Sequence, residues 1–178
     1  MLIGEKDLAA MTADQRAVHD RIAAGPRGSV PSPFFAMLDS PGLADAIQAI
    51  GETIRYRTQM SDRLREIAIC AAAAAFGSGY EWDYHDRLGI AAGLDRAERA
   101  GILDGTGSGL PPQEAAVVAY VFTAIRERRA DQEILATIVE AHGREIATEI
   151  TAICGYYPLL GLFLSAGALD TPLPREVA

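Results

Sequence analysis

The sequence predicts an all-helical protein, a single domain (residues 1–178) of about seven to eight helices. Apolar residues recur at intervals of three and four along almost the whole chain, which is the spacing of one helix face. The breaks between these stretches contain residues that begin or end helices: serine, threonine or aspartate before a stretch, and glycine or proline after it. Strand patterns are nearly absent. Both the periodicity and the helix boundaries therefore point to the same fold class.

The first predicted helix begins after Thr12, where Gln15 three residues later completes a capping box, and it ends at Gly25. Residues 26–33 are rich in proline and are predicted to form a connector. A second helix over 41–58 begins with proline at its first position, where the missing amide donor costs nothing.

The third helix is predicted to be central to the fold. It is capped by Ser61, covers residues 62–76, and contains the alanine run 71–75. Small side chains let a neighbouring helix approach closely, which suits a central position.

The second half of the chain predicts five more helices. They cover residues 80–92, a short segment after a capping box of Asp95 and Glu98, residues 112–129, residues 132–143, and the apolar end of the chain with a kink at Pro158. A glycine-rich loop over 104–109 is expected to be flexible. No internal repeat or domain boundary is evident in the pattern.

Charge and cysteine usage exclude several classes of protein. The net charge is −8 and no stretch concentrates the basic residues, so nucleic acid is not expected as a partner. Cys70 and Cys154 are 84 positions apart, which is neither a disulfide framework nor a zinc spacing. The three histidines also lack metal-ligand spacing. We therefore expect a cytoplasmic protein with no metal and no cofactor.

No export signal or membrane span is expected. The N-terminal residues include charges and lack an apolar core of signal-peptide length. The most apolar stretch, residues 154–169, is shorter than the roughly 20 residues of a membrane span and contains Pro158. This stretch is predicted to be a buried helix.

One segment has a distinctive pattern: Arg-Glu-Ile-Ala at 65–68, the alanine run, Tyr-Glu-Trp-Asp-Tyr-His at 80–85, and Gly-Leu at 93–94. It resembles the core motif of the carboxymuconolactone decarboxylase-like superfamily. A looser resemblance extends over about 33–157 and includes the segment Gly155-Tyr156-Tyr157. The resemblance implies the alkylhydroperoxidase D-like helical fold and a homo-oligomer, a trimer or a hexamer.

The resemblance also implies which chemistry is missing. In the alkylhydroperoxidase D branch, a glutamate is followed by a CxxC pair and then by a histidine. Glu66 and His85 match the glutamate and histidine positions, whereas Ser78 and Glu81 occupy those of the two cysteines. Peroxide reduction needs an attacking thiolate and a resolving thiol, which serine cannot replace. Cys70 lies in an apolar run and is predicted to be a buried structural residue.

The chain instead resembles the cysteine-free branch, which keeps an ExxxH pair, here Glu81 and His85. Residues four apart on a helix face the same way, so the carboxylate can accept a hydrogen bond from one imidazole nitrogen. Glu66 is expected to reach the same region from the preceding, antiparallel helix. Neighbouring carboxylates favour the charged imidazole and place its titration near neutral pH. We therefore predict catalytic roles in acid–base chemistry for His85, Glu81 and Glu66.

Each of these residues also has a structural interpretation. Ser78 and Glu81 form the SxxE pattern of a capping box, in which Glu81 only satisfies backbone donors. Glu66 can be the ion-pair partner of Arg63 or of another arginine. His85 can be a packed, hydrogen-bonded histidine with no role in catalysis.

The predicted function is a carboxymuconolactone decarboxylase-like, cysteine-independent acid–base enzyme that acts on a small carboxylated or lactone compound. Arg87 and Arg63 are candidates for holding a substrate carboxylate. One alternative is a peroxidase-related, alkylhydroperoxidase-like protein. Another is a non-catalytic oligomeric protein that binds a small molecule and has kept the fold without the chemistry.

Overall fold

The computed structural model describes residues 2–177, and within them the secondary structure consists of nine α-helices with no strand. The helices are α1 (Ala13–Ala24), α2 (Ser32–Met37), α3 (Pro41–Tyr56), α4 (Asp62–Phe76), α5 (Gly79–Ala91), α6 (Arg96–Asp104), α7 (Pro112–Arg126), α8 (Gln132–His142) and α9 (Arg144–Ala166). The all-α prediction is confirmed. The prediction of about seven to eight helices agrees with the eight longer helices, and the ninth, α2, has only six residues.

The additional helix is α2, which lies partly within the predicted connector. Its six residues include Pro33 in the first turn, where proline is tolerated because the amide there has no intrahelical partner. Burial of Phe34 and Met37 stabilises this short helix. Such a short helix contains too few residues for a periodic pattern, so the sequence did not predict it.

The capping residues predicted from the sequence set the helix starts. The side chain of Thr12 and that of Gln15 form a complete capping box at α1. The hydroxyl of Ser61 accepts a hydrogen bond from the Leu64 amide at 3.2 Å, which begins α4 at the predicted residue. Asp95 begins α6 with a second complete capping box.

The described residues form two compact units. The first runs up to Thr58 and includes residues 160–170. In this unit α1 and α2 both pack against α3. The second unit contains residues 59–159 and the chain from Thr171 onward. The prediction of a single domain stays a prediction.

In the second unit, α4 packs against α5, α6 and α7, and α7 packs against α8. The alanines at 71–73 of α4 are fully buried, with at most 1% of their surface exposed. Their small side chains leave room for these neighbours, as the alanine run predicted.

The last helix, α9, is 23 residues long and continues through Pro158. It starts ten residues before the apolar stretch 154–169. By length and composition alone it is the one helix of residues 2–177 that could cross a membrane, a criterion that long core helices of soluble proteins also meet.

The segment after α9 contacts the beginning of α5. The Gly79 amide donates a hydrogen bond to the Thr171 carbonyl at 2.9 Å. A Cβ atom at position 79 would lie 2.2 Å from the Pro172 carbonyl oxygen, closer than atoms can approach. Glycine is therefore required at the first position of α5 as long as the C-terminal segment keeps this path.

Candidate acid–base site

A two-residue connection places α4 and α5 side by side. Gly77 ends α4 in the left-handed conformation, with φ of 98°, and its amide donates to the Ala73 carbonyl at 2.8 Å. Only glycine adopts this conformation without steric cost. Ser78 then caps α5, so the chain reverses direction within one turn and the facing surfaces of the two helices meet.

Glu66 of α4 and His85 of α5 form a hydrogen bond across this helix pair. The distance from His85 Nδ1 to Glu66 Oε2 is 2.6 Å. Only 1% of Glu66 and 2% of His85 is exposed to solvent. The structure thus brings together two of the three predicted site residues, which are 19 positions apart in sequence.

Glu81, the third predicted residue, lies on the other side of the same imidazole. Its Oε2 atom is 3.8 Å from His85 Nε2, which is within ion-pair distance but longer than a hydrogen bond. Glu81 is also buried, with 4% of its surface exposed. The three predicted residues therefore form one buried cluster.

The capping interpretation of Glu81 accounts for only part of this geometry. The Ser78 hydroxyl accepts a hydrogen bond from the Glu81 amide at 3.4 Å, so Ser78 is the N-cap. The Ser78 amide, which a reciprocal capping box would use, donates to the Ala73 carbonyl at 3.0 Å. The Glu81 carboxylate lies beside His85, where its negative charge favours the imidazolium form.

The structure adds a fourth residue that the sequence did not predict, Tyr157 of α9. Its hydroxyl is 3.2 Å from His85 Nε2, and its ring lies edge-on to the imidazole at a centroid distance of 5.2 Å. Tyr157 is 72 positions from His85, and no local pattern joins such distant residues. The one signal in the sequence was its place in the Gly-Tyr-Tyr segment of the family resemblance.

The arginine partner of Glu66 is Arg65. The Arg65 Nε atom donates to Glu66 Oε1 at 3.2 Å, and its Nη2 atom donates to Asp62 Oδ1 at 2.9 Å. Since the other Glu66 oxygen accepts from His85, both oxygens of this buried carboxylate are engaged. Their partners fix the orientation of the carboxylate.

Neither arginine predicted as a candidate for substrate binding lies in the cluster. Arg63 donates to Glu114 at 2.8 Å and also pairs with Glu98, and both hydrogen bonds raise the pKa of the guanidinium. Arg87 is exposed and lies two positions after His85, a separation that places the two residues on different faces of α5.

Both cysteines have the environment of unreactive thiols. Burial, and next to it the charges of Glu66 and Asp86, raise the pKa of the Cys70 thiol well above its usual range. Burial raises the pKa of Cys154 to about 12. Nucleophilic attack by cysteine requires the thiolate, so the environment supports the structural interpretation of Cys70.

Tyr84 lies next to His85 and is itself partly exposed to solvent. Its ring contacts the imidazole with a centroid distance of 5.1 Å, and 41% of Tyr84 is exposed. Since His85 itself is buried, a molecule in solution reaches the imidazole only if a neighbouring side chain moves.

The hydrogen bond that His85 Nδ1 donates to Glu66 determines how His85 can exchange protons. A carboxylate next to Nδ1 favours the tautomer with its proton on that nitrogen, which leaves the Nε2 lone pair to accept a proton. The neighbouring carboxylates offset the positive charge that protonation creates. Among residues 2–177, no group of three or more histidine, cysteine, aspartate or glutamate side chains is arranged to hold a metal ion.

The fold and the cluster together define a class: helical proteins with a carboxylate–imidazole pair between two antiparallel helices and without a dithiol. The model of the carboxymuconolactone decarboxylase family matches residues 41–121, which include Glu66, Glu81 and His85. No curated protein matches the chain in sequence.

Solved structures show the same fold at low sequence identity. The debrominase Bmp8, solved without ligand and as a cysteine-to-alanine variant in complex with 2,3,4-tribromopyrrole, is 18% identical, with a TM-score of 0.73 over 98% of this chain and 92% of that chain. An alkylhydroperoxidase AhpD core, an uncharacterized peroxidase-related protein from Ralstonia eutropha JMP134, is 18% identical, with a TM-score of 0.72 over 90% and 86%. The family model covers 81 of the 178 residues, and at 18% identity the solved structures show that this chain shares their fold.

Proposed function

We propose that this protein is a cysteine-independent acid–base enzyme of the carboxymuconolactone decarboxylase-like superfamily. Its proposed substrate is a small carboxylated or lactone compound. The observation that supports this most strongly is the buried imidazole of His85, with Glu66 Oε2 at 2.6 Å from Nδ1. This pairing is the arrangement that general acid–base catalysis needs, because it fixes the tautomer and stabilises the imidazolium.

In the proposed reaction, His85 and its partners move a proton to or from a carbon or oxygen centre of the substrate. The breakdown of a carboxylated lactone requires such a transfer, and a positioned acid or base contributes about 10² to 10⁴ in rate. Arg65 holds the second oxygen of Glu66 at 3.2 Å, so the imidazole is oriented by a carboxylate that is itself fixed.

Peroxide reduction by a dithiol mechanism has less support. Ser78 and Glu81 occupy the positions of the cysteine pair, and burial raises the pKa of the remaining Cys70 thiol. A thiol that stays protonated at neutral pH is a poor nucleophile.

One observation favours a second candidate, a non-catalytic protein that binds a small molecule. The charged and polar side chains of the cluster are all buried, and buried polar networks also stabilise folds that carry out no catalysis. Turnover distinguishes the two functions, because binding alone leaves a ligand chemically unchanged.

The test begins with a thermal-shift screen of lactones, cyclic keto acids and aromatic acids, since a ligand selective for the folded state raises the melting temperature. Compounds that bind are then assayed for turnover with the wild type, His85→Gln and the control His19→Gln. We expect turnover to fall by about 10² to 10⁴ in His85→Gln. His19→Gln should keep full activity, because His19 pairs with Asp20 on α1.

Normal turnover in a folded His85→Gln protein would contradict the proposal. Binding with no turnover by the wild type would instead support the non-catalytic candidate. Activity that depends on Cys70 would support the peroxidase-related alternative.

A further inference from the structure

The hydroxyl of Tyr157 occupies the hydrogen-bonding position at His85 Nε2. We propose that Tyr157 is the residue that exchanges a proton with the substrate, and that His85 exchanges protons with Tyr157. This inference rests on the proposed acid–base function and deepens it. It gives the phenol a catalytic role and makes His85 and Glu66 the groups that support it.

The two nitrogens of the imidazole have different partners. Nδ1 is bound to Glu66 at 2.6 Å, so it is not open to another partner. At Nε2 the Tyr157 hydroxyl lies at 3.2 Å, closer than Glu81 Oε2 at 3.8 Å. A substrate that contacted Nε2 directly would have to displace the phenol.

The packing of Tyr157 keeps the phenol in this position. Its ring is nearly perpendicular to the imidazole, at 86°, and only 2% of the residue is exposed. The ring of Tyr156 packs edge-on against it at a centroid distance of 5.5 Å. The phenol is therefore held by rings on two sides.

The proton transfer balances without any other reactant. In the direction of base catalysis, the Tyr157 hydroxyl donates to the neutral Nε2. As the substrate gives a proton to the phenol oxygen, the phenol gives its own proton to Nε2. Tyr157 ends neutral and His85 ends as imidazolium, and the reverse sequence returns the proton to the product.

The charged groups around the imidazole suit this transfer. From α4 it faces Glu66, whose other oxygen is bound by Arg65, and from α5 it faces Glu81 and the ring of Tyr84. From α9 it faces Tyr157. Two carboxylates flank the site where positive charge forms, which stabilises the imidazolium product of the transfer.

The experiment observes the hydrogen bond itself, so it does not depend on an identified substrate. Protein labelled with ¹⁵N-histidine is titrated by NMR as wild type, Tyr157→Phe and the control Tyr156→Phe, following the Nδ1 and Nε2 resonances of His85. His85 is assigned by the resonances lost in His85→Gln.

In Tyr157→Phe we expect the Nε2 resonance of neutral His85 to shift, while Nδ1 stays protonated. The titration midpoint should rise by about 0.5 to 1 pH unit, because a hydrogen bond that stabilised the neutral imidazole is lost. Tyr156→Phe should leave the Nε2 resonance in place. An unchanged Nε2 resonance, or a midpoint that falls in Tyr157→Phe, would overturn the proposal.

Wild-type protein labelled with ¹³Cζ-tyrosine gives a second measurement that needs no folded Tyr157→Phe. The Tyr157 resonance should follow the titration of His85, and its failure to do so would also overturn the proposal. If turnover requires His85 while these NMR tests fail, the acid–base function stands and His85 acts directly. If the tests succeed but no compound is turned over, the relay geometry stands and the enzymatic function fails.

Discussion

At the scale of single residues, the buried groups of this protein differ in how their polar atoms are satisfied. Glu66 has a different partner for each carboxylate oxygen, so its burial does not leave an isolated charge. At both cysteines, burial is the largest cause of the raised thiol pKa, because it disfavours the charged thiolate. Their thiols behave as small apolar groups, with the Cys154 Sγ donating to the Ile150 carbonyl at 3.3 Å.

The raised pKa of both thiols predicts slow alkylation of Cys70 and Cys154. The pKa of Cys154 rises from 9.0 to about 12, which leaves about 10³-fold fewer thiolates at a given pH below 9. Cys70 is fully buried and shifted in the same direction. Iodoacetamide at pH 8, followed by mass spectrometry, should label neither residue at the rate of a free thiol.

The control for this experiment is the same protein in denaturant, where both cysteines should react at the free-thiol rate. Rapid alkylation of Cys70 in the native state would contradict the structural interpretation. It would also revive a mechanism based on one cysteine.

At the scale of helices, the start of α5 depends on Gly79. Gly79→Ala places a Cβ atom 2.2 Å from the Pro172 carbonyl oxygen, so the C-terminal segment or the helix must move. We expect a loss of about 1 to 3 kcal/mol in the free energy of unfolding, the usual cost of overpacking. Denaturant unfolding monitored by circular dichroism measures it.

Gly42→Ala is the matched control, because Gly42 lies in the first turn of α3 and a Cβ atom at this position would meet no neighbouring atom within 4 Å. Alanine there should be neutral or stabilising by up to about 1 kcal/mol. Equal stability changes in the two variants would show that the C-terminal segment does not press on α5 in solution.

A second prediction for the helices concerns the ion pairs of Arg63 with Glu98 and Glu114, which join α4, α6 and α7. The hydrogen bond from Arg63 holds the pKa of Glu98 below its usual range. A lowered folded-state pKa contributes stability above the unfolded pKa, and this stability is lost as the pH falls through the folded pKa. The wild type should therefore lose stability in the acidic window between the unfolded-state pKa and the lower folded-state pKa of Glu98.

Glu98→Gln tests this contribution, because glutamine keeps the capping box with Asp95 but removes the charge. We expect the variant to be less stable at pH 7 by about 1 to 3 kcal/mol and to depend less on pH in the acidic window. Glu140→Gln, on an exposed position of α8, should retain the wild-type acid dependence. Parallel acid profiles for wild type and Glu98→Gln would contradict the assignment.

At the scale of the whole molecule, the sequence predicted what local chemistry determines. Fold class and the starts of α1, α4 and α6 follow from periodicity and capping side chains, which act within a few residues. The end of α7 did not follow, because the helix stops at Arg126 and Arg128 adopts a φ of 59° without a glycine to signal the turn.

The site residues likewise fall into two groups, those that local spacing predicted and one that tertiary packing places. Glu81 and His85 are one helical turn apart, and Glu66 lies on the adjoining helix, so spacing and the resemblance sufficed to predict the cluster. Tyr157 reaches it from α9 through tertiary packing alone. Long-range contacts of this kind depend on how the helices pack, and no local sequence pattern indicates that packing.

The apolar surface of α9 has a consequence for how the protein responds to dilution. Leu162 of this helix is 58% exposed in one copy of the chain, which suits the expected homo-oligomer if another copy covers it. Assembly obeys mass action, so the melting temperature should rise with protein concentration, and light scattering should give a mass above 18.9 kDa. Leu162→Glu should weaken this dependence more than Leu8→Glu, where a leucine of similar exposure, 44%, lies outside α9. A melting temperature independent of concentration, together with a mass of 18.9 kDa, would mean that α9 faces solvent and that the chain is monomeric.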